Sequence, residues 1–188
     1  MSGATAATYE WLRQGFTDGV GDTWLCLAFV RDVTPEGALR RIGVTPGTSG
    51  DSGFGIAAHR ARGGTVLAEH GWGEIAYDSS HVLSEGTSAA AVSATIKGSD
   101  FTHAVNGRLI TTFSLYSYRY REGDDPDRLL PHVRDLGLHA EVDDPGFAED
   151  PVSSALALAE RATGVHLSRA HYARPALFGS VDHLHPYR

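Results

Sequence analysis

Asn106-Gly107 sits between two runs rich in β-branched and aromatic residues, Phe101–Val105 and Arg108–Leu115. Both turn residues reach positive φ at low cost, so the pair predicts a type I′ turn whose twist matches the strands it joins. A hairpin pinned this tightly commits the chain to antiparallel pairing. Ala89–Lys97, just upstream, reads as the third strand of the same meander. Phe54–Arg62 and Thr65–Trp72 around Gly63-Gly64 predict a second hairpin, and the continuous apolar run from Thr23 to Val30 predicts a buried strand.

Helix signals lie at both ends of the chain. Thr8 is placed to cap a short helix through Phe16. Thr34 and Pro35 open another that closes at Gly43, the clearest start in the sequence. Asp127–Leu136 has helical spacing but contains Pro131, which delays or kinks it. Pro151–Thr163 is a helix ended by Gly164. Ser168–Phe178 reads as a third, interrupted near Pro175, and residues 181–188 read as a loose tail. Strands followed by helices argue for α+β. The expected product is a single domain over 1–188, a twisted antiparallel sheet of about six strands with helices packed on one face.

The chain of 188 residues carries a formal charge of −7. An acidic protein gains nothing from counterion release, so neither nucleic acid nor an anionic membrane surface is an expected partner. No apolar run approaches the ~20 residues that cross a bilayer, and the first residues lack the pattern of a secretory signal. The expected location is the cytoplasm. Cys26 is the single cysteine and falls inside an apolar run, as a buried hydrophobe would. Lys97 is the only lysine, a bias toward arginine that suits a GC-rich genome.

Seven segments carry a resemblance: Tyr9-Glu10-Trp11-Leu12, Leu25–Arg31, Thr34-Pro35-Glu36, Leu39–Gly43, Leu83–Thr87, Asp125-Pro126-Asp127 and Ala155–Arg161. With these the chain resembles, over nearly its whole length, an actinobacterial family of uncharacterised proteins. The shared segments are caps, core runs and turns, so the resemblance implies a fold and brings no functional residue with it.

Ten histidines in this length invite an acid/base reading. With Gly63-Gly64 as the loop, His59 opposes Ala68, and His70 lies one diagonal away among small alanines that leave room for a substrate. In the meander, His103 opposes Ala94 and Ile110 on the most apolar face of the chain. His59, His70 and His103 are therefore the candidate catalytic residues. Trp72 and Glu69, at the end of the hairpin, and Tyr116 and Tyr118, from a run of alternating tyrosines, are candidate ligand-binding residues. No cofactor fingerprint and no metal-ligand spacing is present; His183-Leu184-His185 falls short of a ligand set.

Two functions of different class follow. One is a cofactor-independent enzyme acting on a small molecule, in specialised metabolism, with histidine as general acid or base. The other is a non-catalytic interaction module, an immunity or accessory factor, whose protein partner tolerates an acidic surface. An open sheet edge also suits a homodimer.

Overall fold

The computed structural model describes residues 3–48, 53–71 and 73–184. Along the chain the elements are α1 (Ala6–Gln14), β1 (Leu25–Arg31), α2 (Pro35–Arg41), β2 (Gly55–Ala61), β3 (Gly64–His70), α3 (Ile75–Asp78), α4 (Ser80–Leu83), β4 (Ser88–Thr95), β5 (Gly98–Val105), β6 (Arg108–Ser114), β7 (Ser117–Glu122), α5 (Leu130–Asp135), α6 (Pro151–Thr163), α7 (Arg169–Tyr172) and β8 (Leu177–Ser180). The strands form one open antiparallel sheet in the order β7-β6-β5-β4-β1-β3-β2-β8. The fold is α+β, as expected. The N-terminal strand β1 is inserted between the two hairpin units, paired with β3 on one side and β4 on the other.

The sheet has eight strands where about six were expected. The additions are the edges: β7, made from the tyrosine-rich segment, and β8, from a segment that read as the end of a helix. After Pro175 the chain extends and pairs Leu177–Ser180 with Gly55–Ala58 of β2.

Helices cover both faces, not one. Leu27 and Phe29 of β1 and Val92 of β4 join a core with Tyr9 and Leu12 of α1 and Leu156 and Leu158 of α6. Cys26, Ala28 and Val30 face the other way, into a core with Leu39 of α2, Ala76 of α3 and Leu83 of α4. The one-face expectation fails for a definite reason. β4 reads Ser-Ala-Ala-Ala-Val-Ser-Ala-Thr and is buried along almost its whole length. Small residues on both sides produce no alternation, yet they let helices approach the sheet from each side.

Local signals hold well. The Thr34 hydroxyl accepts from Gly37 N at 3.1 Å with Pro35 in the first turn. Asp150 accepts from Ser153 N at the start of α6, and Gly164 ends that helix at φ 75°. α5 starts at Leu130, with Pro131 in its first turn. α1, however, starts two residues before the expected cap: Thr8 lies inside the helix and its hydroxyl accepts from Thr5 N at 3.0 Å. Val181 is buried and Asp182–Leu184 forms a 3-10 turn; residues 185–188 lie outside the described residues.

Registers shift in both hairpins. Asn106 (φ 51°) and Gly107 (φ 77°) form the expected turn, pairing Val105 with Arg108. A bulge after His103 then pairs it with Thr111, not Ile110. The second hairpin turns at Arg62-Gly63, pairing Ala61 with Gly64 and His59 with Val66. Arg62 is held outside the ladder by a bridge to His166, its N–H donating to the His166 carbonyl at 3.1 Å. Gly64 is drawn in because it packs against β1: a Cβ there would strike the Val30 carbonyl oxygen. Gly64→Ala is therefore expected to lower stability by about 3 kcal/mol or more, from overpacking and an unfavourable φ together. Gly43→Ala, at φ 75° with open space around it, loses only about 1 kcal/mol. Urea midpoints of the two variants check the contrast.

Candidate functional site

The structure places the three candidate histidines on one face of the sheet, toward α6, and does not bring them together. His59 and His70 sit further apart than expected, because His59 opposes Val66 whereas His70 opposes Gly55. That is about 13 Å of strand. The His59 ring lies beneath Tyr172 of α7, stacked at 4.5 Å between centroids. His70 is exposed and stacks on Phe16 at 6.0 Å. His103 is buried in the meander, 3% exposed. Neither ring nitrogen of His59 or of His103 has a hydrogen-bond partner among the described residues.

Burial holds both rings neutral. It lowers the His59 pKa to about 4, with His70 contributing, and the His103 pKa to about 4, with the Arg128 charge contributing. Neutral imidazoles could serve as bases, but each lacks the orienting partner that a general base normally has.

The opposite face carries a different arrangement. A cleft of about 800 Å³ opens where β1 begins, β3 and β4 end and α3 starts. Its apolar walls are Trp24, Leu25, Phe54, Ile75, Ile96 and Leu184. Cys26 and Thr95 also line it, and Glu74, Asp78 and Lys97 supply its charges. Glu74 is the best anchored: Ser93 Oγ donates to its Oε1 at 2.6 Å and Lys97 Nζ to its Oε2 at 3.0 Å. Burial opposes its ionisation, but the bonds from Ser93 and Lys97 outweigh this and lower its pKa. The Asp78 carboxyl is pushed up by burial and by the Glu74 charge, and so is that of nearby Asp100.

Glu69 lies behind this cleft. It is 4% exposed, and its Oε2 accepts from Ala76 N at 3.1 Å. Burial raises its pKa, partly offset by that bond, by the Ile75 amide and by Cys26. The Cys26 thiol stands beside the carboxyl and is itself held protonated, by burial and by the Glu69 charge. Even so, no donor among the described residues bonds Glu69 Oε1.

None of the described candidate ligand-binding residues lines this cleft; Glu69 stands behind its wall, beside Cys26, and Trp72 is outside the described residues. Tyr118 is buried in the α6-side core, edge-on to Phe113 at 4.8 Å. Tyr116 is 44% exposed and sits in the turn before β7. Sequence reading missed Glu74, Asp78 and Lys97, which fall in a linker and a turn. The one available signal was that Lys97 is the single lysine. Among the described residues no three His, Cys, Asp or Glu side chains are grouped to hold a metal ion, and no helix is long and apolar enough to cross a membrane. His183 donates from Nε2 to the Gly43 carbonyl at 2.8 Å; His185 is outside the described residues.

The chain belongs to a family of unknown function, DUF6461, whose family model matches residues 54–179. That span starts just before β2 and ends within β8, so it takes in the second hairpin, the meander and α6 but leaves out β1. No curated protein matches the chain, and no solved structure does.

The buried histidines give the fold a definite acid response. In the unfolded chain an imidazole takes up its proton near the ordinary value of 6.5, whereas His59 and His103 wait until about 4. Stability is therefore expected to fall as pH drops from 6.5 to 4 and to level off below, by on the order of 3 kcal/mol per ring. Denaturant melts across that range check it. His103→Leu and His59→Phe should each flatten the curve and leave stability at pH 7.5 unchanged or higher, since each removes two unbonded nitrogens.

Proposed function

We propose that this is a small-molecule-binding protein whose ligand occupies the cleft lined by Trp24, Phe54, Ile75, Ile96 and Lys97. The observation that carries the reading is the cleft itself: about 800 Å³, walled mainly by apolar side chains, with a few polar groups fixed in place at its edge. That is the usual make-up of a small-molecule site. Histidine acid/base catalysis ranks below it. His59, His70 and His103 all face the other side of the sheet, and none of them lines the cleft. The same proposal includes an actinobacterial source, which the arginine bias suits, and a ligand drawn from a biosynthetic route. It also includes a cytoplasmic location, which suits a free, buried thiol.

A second reading has its own observation. Tyr116 and Tyr120 stand 44% and 67% exposed at β7, one of the two edge strands. Through that edge two copies of the chain can pair. Sedimentation at the highest soluble concentration tests this: a monomer, unaltered by Tyr116→Ser with Tyr120→Ser, removes it.

The cleft reading is tested with a fragment library and amide chemical shifts on the labelled full chain. Binders are expected to move the amides of Ile75, Thr95 and Lys97. Ile96 is 75% exposed in the β4–β5 turn, so Ile96→Glu leaves the fold intact while placing a charge on the apolar rim. It should weaken apolar binders about tenfold. A library with no member that shifts those amides sinks the reading.

A further inference from the structure

The cleft joins two features that need a common explanation. Its rim is acidic: Glu74 and Asp78 line it, Asp100 is near enough to feel the Glu74 charge, and Lys97, paired with Glu74, also eases the ionisation of Asp78. Behind the rim, Glu69 carries a buried carboxyl oxygen with no partner among the described residues. Two of the residues that act on that carboxyl, Cys26 through its thiol and Ile75 through its backbone amide, both line the cleft. A buried, unbonded carboxyl oxygen is costly and normally finds a donor.

We propose that the ligand is an organic amine with an apolar body, and that Glu69 is its buried anchor, Oε1 accepting a hydrogen bond from the ligand's ammonium group. This rests on the cleft being the binding site. The apolar body lies against Phe54, Ile75 and Ile96, and the ammonium points inward past the Cys26 thiol, a side chain short enough to turn aside. Glu74 and Asp78 draw the cation to the mouth but stay at the rim. An ammonium bonds the carboxylate and not the carboxylic acid. When the ligand binds at acidic pH, the Glu69 proton is therefore released to solvent.

The test uses two probes of the same shape, cyclohexylmethylamine and cyclohexylmethanol, titrated into the labelled full chain at pH 7.5. Both are expected to shift the cleft amides, with the amine about tenfold tighter or more, the scale of a charge-assisted bond. Glu69→Gln should bring the amine down to the affinity of the alcohol and leave the alcohol unchanged. Glu74→Gln should weaken the amine only about twofold, as a screened rim charge does. On the wild-type chain the amine's advantage should disappear on acidification, at a pH above the ordinary carboxylate range, because burial raises Glu69. Should Glu69→Gln fail to fold, that pH profile decides when repeated in Asp78→Asn with Asp100→Asn, since both of those carboxyls are raised as well: an unchanged profile supports Glu69, and loss of the amine's advantage at pH 7.5 overturns it. Equal affinity of the two probes, or a preference abolished by Glu74→Gln and kept in Glu69→Gln, overturns the amine anchor while leaving the cleft as a site. If neither probe moves a cleft amide, and no library fragment does, the binding reading fails and takes the anchor with it.

Discussion

β1 is hydrogen-bonded along both edges and covered on both faces, and no other strand joins the two halves of the sheet. Without Leu25–Arg31, the β2–β3 hairpin with β8 and the β4–β7 meander share no ladder. All of its residues except Arg31 are buried. Its alternation therefore divides the molecule into two cores: Leu25, Leu27 and Phe29 on the α6 side, Cys26, Ala28 and Val30 on the side of α2, α3 and α4. Its partners β3 and β4 come well after it in the chain, so pairing it closes long loops. Its long apolar run compensates for that loop-closure entropy with burial.

The same alternation sorts the buried polar groups. His59 and His103 point into the α6-side core, where nothing among the described residues bonds them and burial keeps them neutral. Glu69, Ser93 and Thr65 point the other way and are engaged: Glu69 with the Ala76 amide, Ser93 with Glu74, Thr65 with the Val33 carbonyl. One face thus stores an acid-sensitive destabilisation, while on the other Glu69, Ser93 and Thr65 each have a hydrogen-bond partner within the fold. Polar groups of the second kind are the ones that orient a ligand. Groups of the first kind mainly set the pH range in which the fold persists.

The parts of this fold that a reader of the sequence can recover are the local ones. Asn106-Gly107, the Thr34-Pro35 start, Pro151 and Gly164 act within a few residues, and each appears where its chemistry puts it. Facing was recovered in two ladders whose register was not; in the β5–β6 ladder the bulge shifts the pairing by one, so Thr111 and not Ile110 stands opposite His103. The β2–β3 and β4–β5 ladders each differ from the expected one by an even number of positions, and a shift of two keeps every side chain on its own face. Hence His59, His70 and His103 were placed on the correct sheet faces with the wrong neighbours. What stayed hidden was non-local. β8 exists only because β2 offers it an edge. The second layer of helices follows from alanines whose small size has no periodic signature. The cleft is assembled from the ends of three strands, the start of a helix and the turn at Leu184, which are scattered along the sequence.

Glu69 links that assembly back to the ladder. Its Oε2 takes the Ala76 amide and so fixes the start of α3, the short helix that carries Ile75 and Asp78 into the cleft wall. It follows Ala68, which pairs with Leu27 of β1, and the Cys26 thiol stands beside it. A carboxylate in an apolar core is normally replaced by something cheaper unless both oxygens are used. Holding α3 needs one oxygen, and an amide side chain at position 69 could do that without a buried charge. The Ala76 bond, with the Ile75 amide and the Cys26 thiol close by, holds this carboxyl, and Oε1 has no bonded donor among the described residues. The carboxyl lies beside Cys26, which itself lines the cleft, so an unbonded buried carboxyl oxygen, apolar walls and the Glu74 and Asp78 carboxyls occur together at this end of the sheet.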